Sequence, residues 1–128
     1  MTWKILAVDD DKGMRTLLRV TLERNGFQVA EAPDGEAAVE QVLASPPDLI
    51  LMDVMMPRMD GFTACQIIHG TANTAHIPII LLSAMISDEH KEKGLASGAN
   101  LYLTKPVSPS VLLETVNEIL QETAPNPD

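Results

Sequence analysis

The 128 residues predict one doubly wound α/β domain, a parallel sheet of five strands covered on both faces by five helices. Three observations carry that reading. Short runs that are apolar or β-branched throughout recur five times, segments with helical spacing of apolar residues separate them, and Gly, Pro or Asn precedes four of the five runs closely. Strands lacking a polar face belong to parallel sheets buried on both sides.

In chain order, "KILAV" (4–8) is the first strand and runs into Asp9, Asp10 and Asp11. Met14, Leu17, Leu18 and Leu22 then form a helical stripe expected to face the sheet, and Gly26 stands where a glycine ends a helix. "FQVAEA" (27–32) is the second strand, and Ala38, Val39, Val42 and Leu43 mark the second helix. "DLILMD" (48–53) is the third strand, a buried run ending in a carboxylate, after which Asp60 and Gly61 begin helix three. "IPIILLS" (77–83) is the fourth strand. Helix four, "SDEHKEKGLASG", has Leu95 as its one large apolar residue and Gly94 within it, and Gly98 closes it. Such a helix is weakly anchored and is expected to be the most mobile of the five. "LYLT" (101–104) is the fifth strand. Ser108 as N-cap and Pro109 at the first helical position open the last helix, whose inner face carries Leu112, Val116, Ile119 and Leu120. The domain is expected to span residues 1–122, and "TAPNPD" (123–128) to be a flexible tail.

Composition narrows the function. With 18 acidic against 9 basic residues the net charge is -9, which repels phosphate backbones and anionic lipid, so direct nucleic-acid or membrane binding is not expected. The single cysteine, Cys65, can form no internal disulfide and reads as a small core thiol. No run reaches membrane-spanning length, and the first apolar stretch is too short for a signal peptide. The expectation is a soluble, cytoplasmic protein.

In open parallel sheets chemistry gathers beyond the carboxyl ends of the strands. Here those ends carry Asp9 and Asp10, then Asp53, then Ser83, then Lys105. If strand order brings them together, three carboxylates share one rim with a hydroxyl and an ammonium. Two carboxylates about 4 Å apart repel by roughly 4 kcal/mol at an effective dielectric near 20, and one lysine cannot neutralise three. A hard divalent cation with oxygen ligands, Mg²⁺, is the natural remedy.

"VDDD" after the first strand, "LMDVMMPRMDG" around the third, "LLSA" at the fourth and "YLTKP" at the fifth together resemble the receiver domain of two-component response regulators, over almost the whole chain. The resemblance implies a flavodoxin-like sheet of order 2-1-3-4-5. It also implies that Asp53 accepts a phosphoryl group from a histidine kinase or a histidine phosphotransfer protein. Asp10, Asp53 and the backbone carbonyl of Met55 would bind Mg²⁺, with Asp9 acting through a coordinated water. Lys105 and Ser83 would take phosphoryl oxygens. Ser83 and Tyr102 would act as switch residues that alter the helix 4, strand 5 and helix 5 face to control a downstream protein or an output domain outside this chain. Such a protein is a phospho-accepting regulator and not an enzyme beyond its own phosphoryl transfer and slow aspartyl-phosphate hydrolysis. The Lys105–Pro106 bond is cis by the same resemblance.

Taken singly, each residue has an ordinary role. Asp11 suits a helix cap, Tyr102 a partly buried ring, and His69, His76 and His90 lack metal spacing and read as surface residues. Ser83 replaces the family's commoner threonine and keeps the hydroxyl. Asn100, Leu101 and Val107 depart from a common DNA-binding subfamily, against pairing through its dimer face. Met55 and Met85 offer no polar group to orient water, from which a long-lived phosphoryl state is expected. Rival classes fit less well: a haloacid dehalogenase-like phosphatase wants a second Asp where Met55 stands, and no glycine-rich nucleotide loop occurs.

Overall fold

The structure, a computed structural model, describes residues 2 to 123. Its elements run β1 (Lys4–Val8), α1 (Lys12–Glu23), β2 (Gln28–Ala32), α2 (Gly35–Ala44), β3 (Leu49–Asp53), α3 (Gly61–Gly70), β4 (Ile79–Ser83), α4 (Asp88–Ala96), β5 (Leu101–Thr104) and α5 (Pro109–Thr123). The strands form one parallel sheet in the order β2-β1-β3-β4-β5. Burial follows position: every residue of β3 and β4 is buried, while the edge strands β2 and β5 are only partly covered. β2, β3 and β4 each start one or two residues later than their apolar runs suggest, and β1 stops one residue short of Asp9. From residue 124 on, the expected tail lies outside the described residues.

Two cores flank the sheet. Leu18 and Leu22 of α1 and Leu112, Val116, Ile119 and Leu120 of α5 pack with Ile5, Leu49, Leu51 and Ile80 on one face. Ala38 and Val42 of α2 and Ala64, Cys65 and Ile68 of α3 pack with Leu6, Ile50, Met52 and Leu81 on the other. Fully burying a Leu or Ile side chain contributes about 1.5–3 kcal/mol, so the central strands are the main source of rigidity at the rim.

Two stripe residues are corrected. Leu17 and Leu43 were expected against the sheet, yet they are 57% and 53% exposed. Each lies about 100° around its helix from an inward neighbour, Leu18 or Val42, which carries it off the narrow line that touches the sheet. α4 is anchored even more weakly than its sequence indicates, because Leu95 is half exposed and Gly94 is the one residue of that helix that is buried.

The helix ends use local chemistry. Asp11, Asp34, Asp60 and Ser87 cap α1 to α4 by accepting backbone N–H bonds, and the Ser108 hydroxyl accepts from the N–H of Val111. Gly26 and Gly98 adopt φ of 90° and 110°, the left-handed conformation that ends a helix cheaply only with glycine.

Candidate functional site

Register builds the site. Val8 pairs with Met52, Asp53 with Leu82, and Ser83 with Thr104, so the carboxyl ends of β1, β3, β4 and β5 align in one row. The next residues then meet: Lys105 Nζ donates to Asp9 Oδ2 at 2.8 Å and stands 3.3 Å from Asp53 Oδ1. Oxygens of Asp9, Asp10 and Asp53 lie within 4.8 Å of one another. Asp9 and Asp53 are buried, whereas Asp10 faces solvent. The Asp9 carboxylate is held by the Asp11 N–H on Oδ1 at 2.9 Å, and its own carbonyl accepts from Arg15 at 2.6 Å.

Ser83 is fully buried, and its Oγ accepts the N–H of Met85 at 3.1 Å. Tyr102 donates its hydroxyl to the Met85 carbonyl at 2.8 Å and is partly buried, as its sequence position suggests. Both switch residues of the sequence reading therefore hold the same backbone unit. Met55 is 63% exposed beside the rim. The Lys105–Pro106 bond is cis.

The response regulator receiver domain profile matches residues 5–117. The chain belongs to the response regulator receiver domain family. Response regulator MprA of Mycobacterium leprae is 41% identical over 123 residues, covering 96% of this chain and 53% of that protein. The DNA-binding dual master transcriptional regulator RpaA of Synechocystis sp. is 38% identical over 120 residues, covering 94% of this chain and 50% of that protein. The chain thus spans about half the length of the curated relatives it matches. Among solved structures, the signal receiver domain of a signal transduction histidine kinase from Syntrophus aciditrophicus superposes with a TM-score of 0.91 at 32% identity, covering 98% of this chain and 95% of that one. Chemotaxis protein CheY4 of Vibrio cholerae superposes with a TM-score of 0.88 at 34% identity, over 93% of this chain and 99% of that one.

In this receiver domain three carboxylates face one ammonium, a formal excess of two negative charges (three minus one) that a divalent cation matches. Arg15 does not relieve it, since its guanidinium also pairs with Glu31 at 3.2 Å. Burial pushes the Asp53 carboxyl above the ordinary value of 3.8; the Lys105 ammonium opposes that rise and the Asp9 carboxylate adds to it. For Lys105, burial disfavours the charged form, but the hydrogen bond to Asp9 and the charges of Asp53 and Asp9 prevail and raise the amine above 10.5. The oxygen-only donor set fits Mg²⁺.

Asp11 and Asp60 are caps, as expected. Cys65 is buried in the core and burial raises its thiol, which suits packing and not nucleophilic chemistry. His69 and His76 are exposed, His90 is partly buried against the Ser87 hydroxyl, and among the described residues no metal grouping includes a histidine. Two supports escaped the sequence reading. Arg15 grips the Asp9 carbonyl, and Gly61 presses on the end of β3: a Cβ there would lie 2.4 Å from the Asp53 carbonyl oxygen. The glycine of "MDG" was the available signal for the second; Arg15 belongs to no motif.

No helix among the described residues is long and apolar enough to cross a membrane.

Proposed function

We propose that this receiver domain is the phosphoryl-accepting switch of a two-component system, with Asp53 as the acceptor. The observation that carries the reading is Lys105 bridging Asp53 and Asp9, the latter 96 residues away in sequence, with Asp10 completing the carboxylate group. A carboxylate oxygen of Asp53 attacks the phosphorus of a phosphohistidine on a histidine kinase or phosphotransfer protein; the P–N bond breaks and the imidazole leaves as an acyl phosphate forms on Asp53. Asp10, Asp53 and the Met55 carbonyl would hold Mg²⁺, with Asp9 acting through a water. When bound by these residues, Mg²⁺ would supply positive charge that offsets the charge of the transferring group. Lys105 holds a phosphoryl oxygen from the other side, a preorganised charge that needs no rearrangement during transfer.

The output is conformational. Ser83 turns its hydroxyl toward the new phosphoryl group and gives up the Met85 N–H, while Tyr102 holds the Met85 carbonyl. Support for this coupling is the shared residue: any shift of Met85 reaches the ring packed beside α4. The altered α4, β5 and α5 face then controls an unidentified downstream protein or an output domain.

Incubation with acetyl phosphate and Mg²⁺, then intact-mass and peptide mass spectrometry, tests the assignment. One phosphoryl adduct on the peptide holding Asp53, absent in Asp53→Asn and without Mg²⁺, is the expected result. No adduct would reduce the chain to a receiver-shaped binding module.

A further inference from the structure

The loop that follows Asp53 is strained and is held from outside. Arg58 has φ of 68°, rare for a residue with a side chain, and the Met59 N–H donates to the Pro57 carbonyl at 2.7 Å, which closes a positive-φ γ-turn. The loop's ends are tied by Gly61 N–H donating to the Val54 carbonyl at 2.9 Å. Its apex is tied to a different part of the fold. The Gly35 N–H donates to the Met59 carbonyl at 3.2 Å, and a Cβ at residue 35 would stand 2.4 Å from that same oxygen. Beside it the buried Asp34 divides its carboxylate. Oδ1 accepts from Ala37 N–H at 2.8 Å and caps α2, while Oδ2 lies 3.5 Å from Nη1 of Arg58.

We propose that Asp34, Gly35 and Arg58 are positioning residues of the phosphoryl site: the start of α2 clamps the strained turn at Arg58 and so sets where the Met55 carbonyl stands relative to Asp53. The inference rests on the reading of Asp53 and the Met55 carbonyl as Mg²⁺ ligands given above. A strained turn persists only when its surroundings hold it, and here the holding groups stand at the start of α2 and are not members of the Asp9, Asp10 and Asp53 group. Second-layer supports of this kind govern how well a metal's ligands are aimed.

The test is isothermal titration of the full chain with MgCl₂, alongside melting in EDTA, for the wild type, Arg58→Ala, Arg58→Lys and Gly35→Ala. Arg58 is 72% exposed, so its replacement leaves the core intact. Arg58→Ala is expected to weaken Mg²⁺ binding about twofold to fivefold, the range an exposed ion pair commands, with Arg58→Lys recovering most of it. Gly35→Ala, which must displace the Met59 carbonyl, is expected to weaken it roughly tenfold. Wild-type affinity in both Arg58→Ala and Gly35→Ala would overturn the clamp and leave the site reading standing. A loss in Arg58→Ala that follows the EDTA melting temperature and is not restored by Arg58→Lys would also overturn it. A wild-type chain that binds no Mg²⁺ would overturn both.

Discussion

Tyr102 lays its ring against Gly94 of α4, so closely that a Cβ at residue 94 would stand 2.7 Å from ring atom Cδ2. The absent side chain is the notch in which the ring lies, and the hydroxyl anchors it to Met85. The inward position of the ring therefore depends on a helix residue that is otherwise a poor choice for a helix.

Gly94→Ala should displace the ring outward and break the Tyr102 to Met85 hydrogen bond. The helix gains up to about 1 kcal/mol of propensity and the lost bond costs a similar amount, so net stability should change little. Tyr102 is the chain's single tyrosine, so the NMR signals of its ring read it directly. An unchanged tyrosine environment in the variant would remove the notch from the account.

Asp53→Asn should stabilise the metal-free protein. The folded-state value of Asp53 is raised, so its favourable contribution is complete below the unfolded value near 3.8 and disappears as pH rises through the raised value. At neutral pH the ionised side chain is a net cost, which asparagine relieves by on the order of 1 kcal/mol. Urea denaturation in EDTA at a series of pH values should show the gap between variant and wild type opening as pH rises through that window and staying constant above it. Mg²⁺ should close it by stabilising the wild type more; a gap independent of pH would contradict the electrostatic cause.

Lys105→Ala has the opposite sign. The wild-type ammonium stabilises fully below its ordinary value of 10.5, and that contribution is lost as pH climbs through the raised folded value. Removing it leaves Asp9 and Asp53 facing each other and should cost about 2 kcal/mol near neutral pH, the scale of a hydrogen bond to a charged group. Melting curves in EDTA check this, and a variant as stable as the wild type would show the bridge to be energetically idle.

Met55→Asn should release phosphate several-fold faster than the wild type. Met55 is exposed beside the rim and can orient no attacking water, whereas an amide at that place can. Following decay of the labelled protein measures the rate, and an equal or slower rate in the variant would end the idea of a long-lived phosphoryl state.

Amide exchange should be faster in α4 than in α1, α3 or α5, and protection in α4 should change most when beryllofluoride mimics the phosphoryl group. The reason is burial: α4 contributes only Gly94 to the interior, while α3 buries Phe62, Ala64, Cys65 and Ile68. Identical α4 protection with and without the mimic would count against repositioning of this helix.

Local rules made most of the fold legible. Apolar runs marked β1 to β5, Asp11, Asp60 and Ser108 announced helix starts, and Gly26 and Gly98 announced helix ends, because caps and left-handed glycines depend on residues within one turn of the chain. The strand order came from likeness of motifs, not from periodicity, which says nothing about which strands become neighbours.

By itself, then, the sequence determined that carboxylates, a hydroxyl and an amine would cap buried strands, since burial pattern and strand length are short-range properties. Only the tertiary structure decided that Lys105 reaches Asp9 and Asp53, that Leu17 and Leu43 turn to solvent, that Tyr102 fits the gap at Gly94 and that Asp34 reaches Arg58. Those outcomes depend on sheet register, helix rotation and the paths of loops, which are settled by packing among residues far apart in the chain.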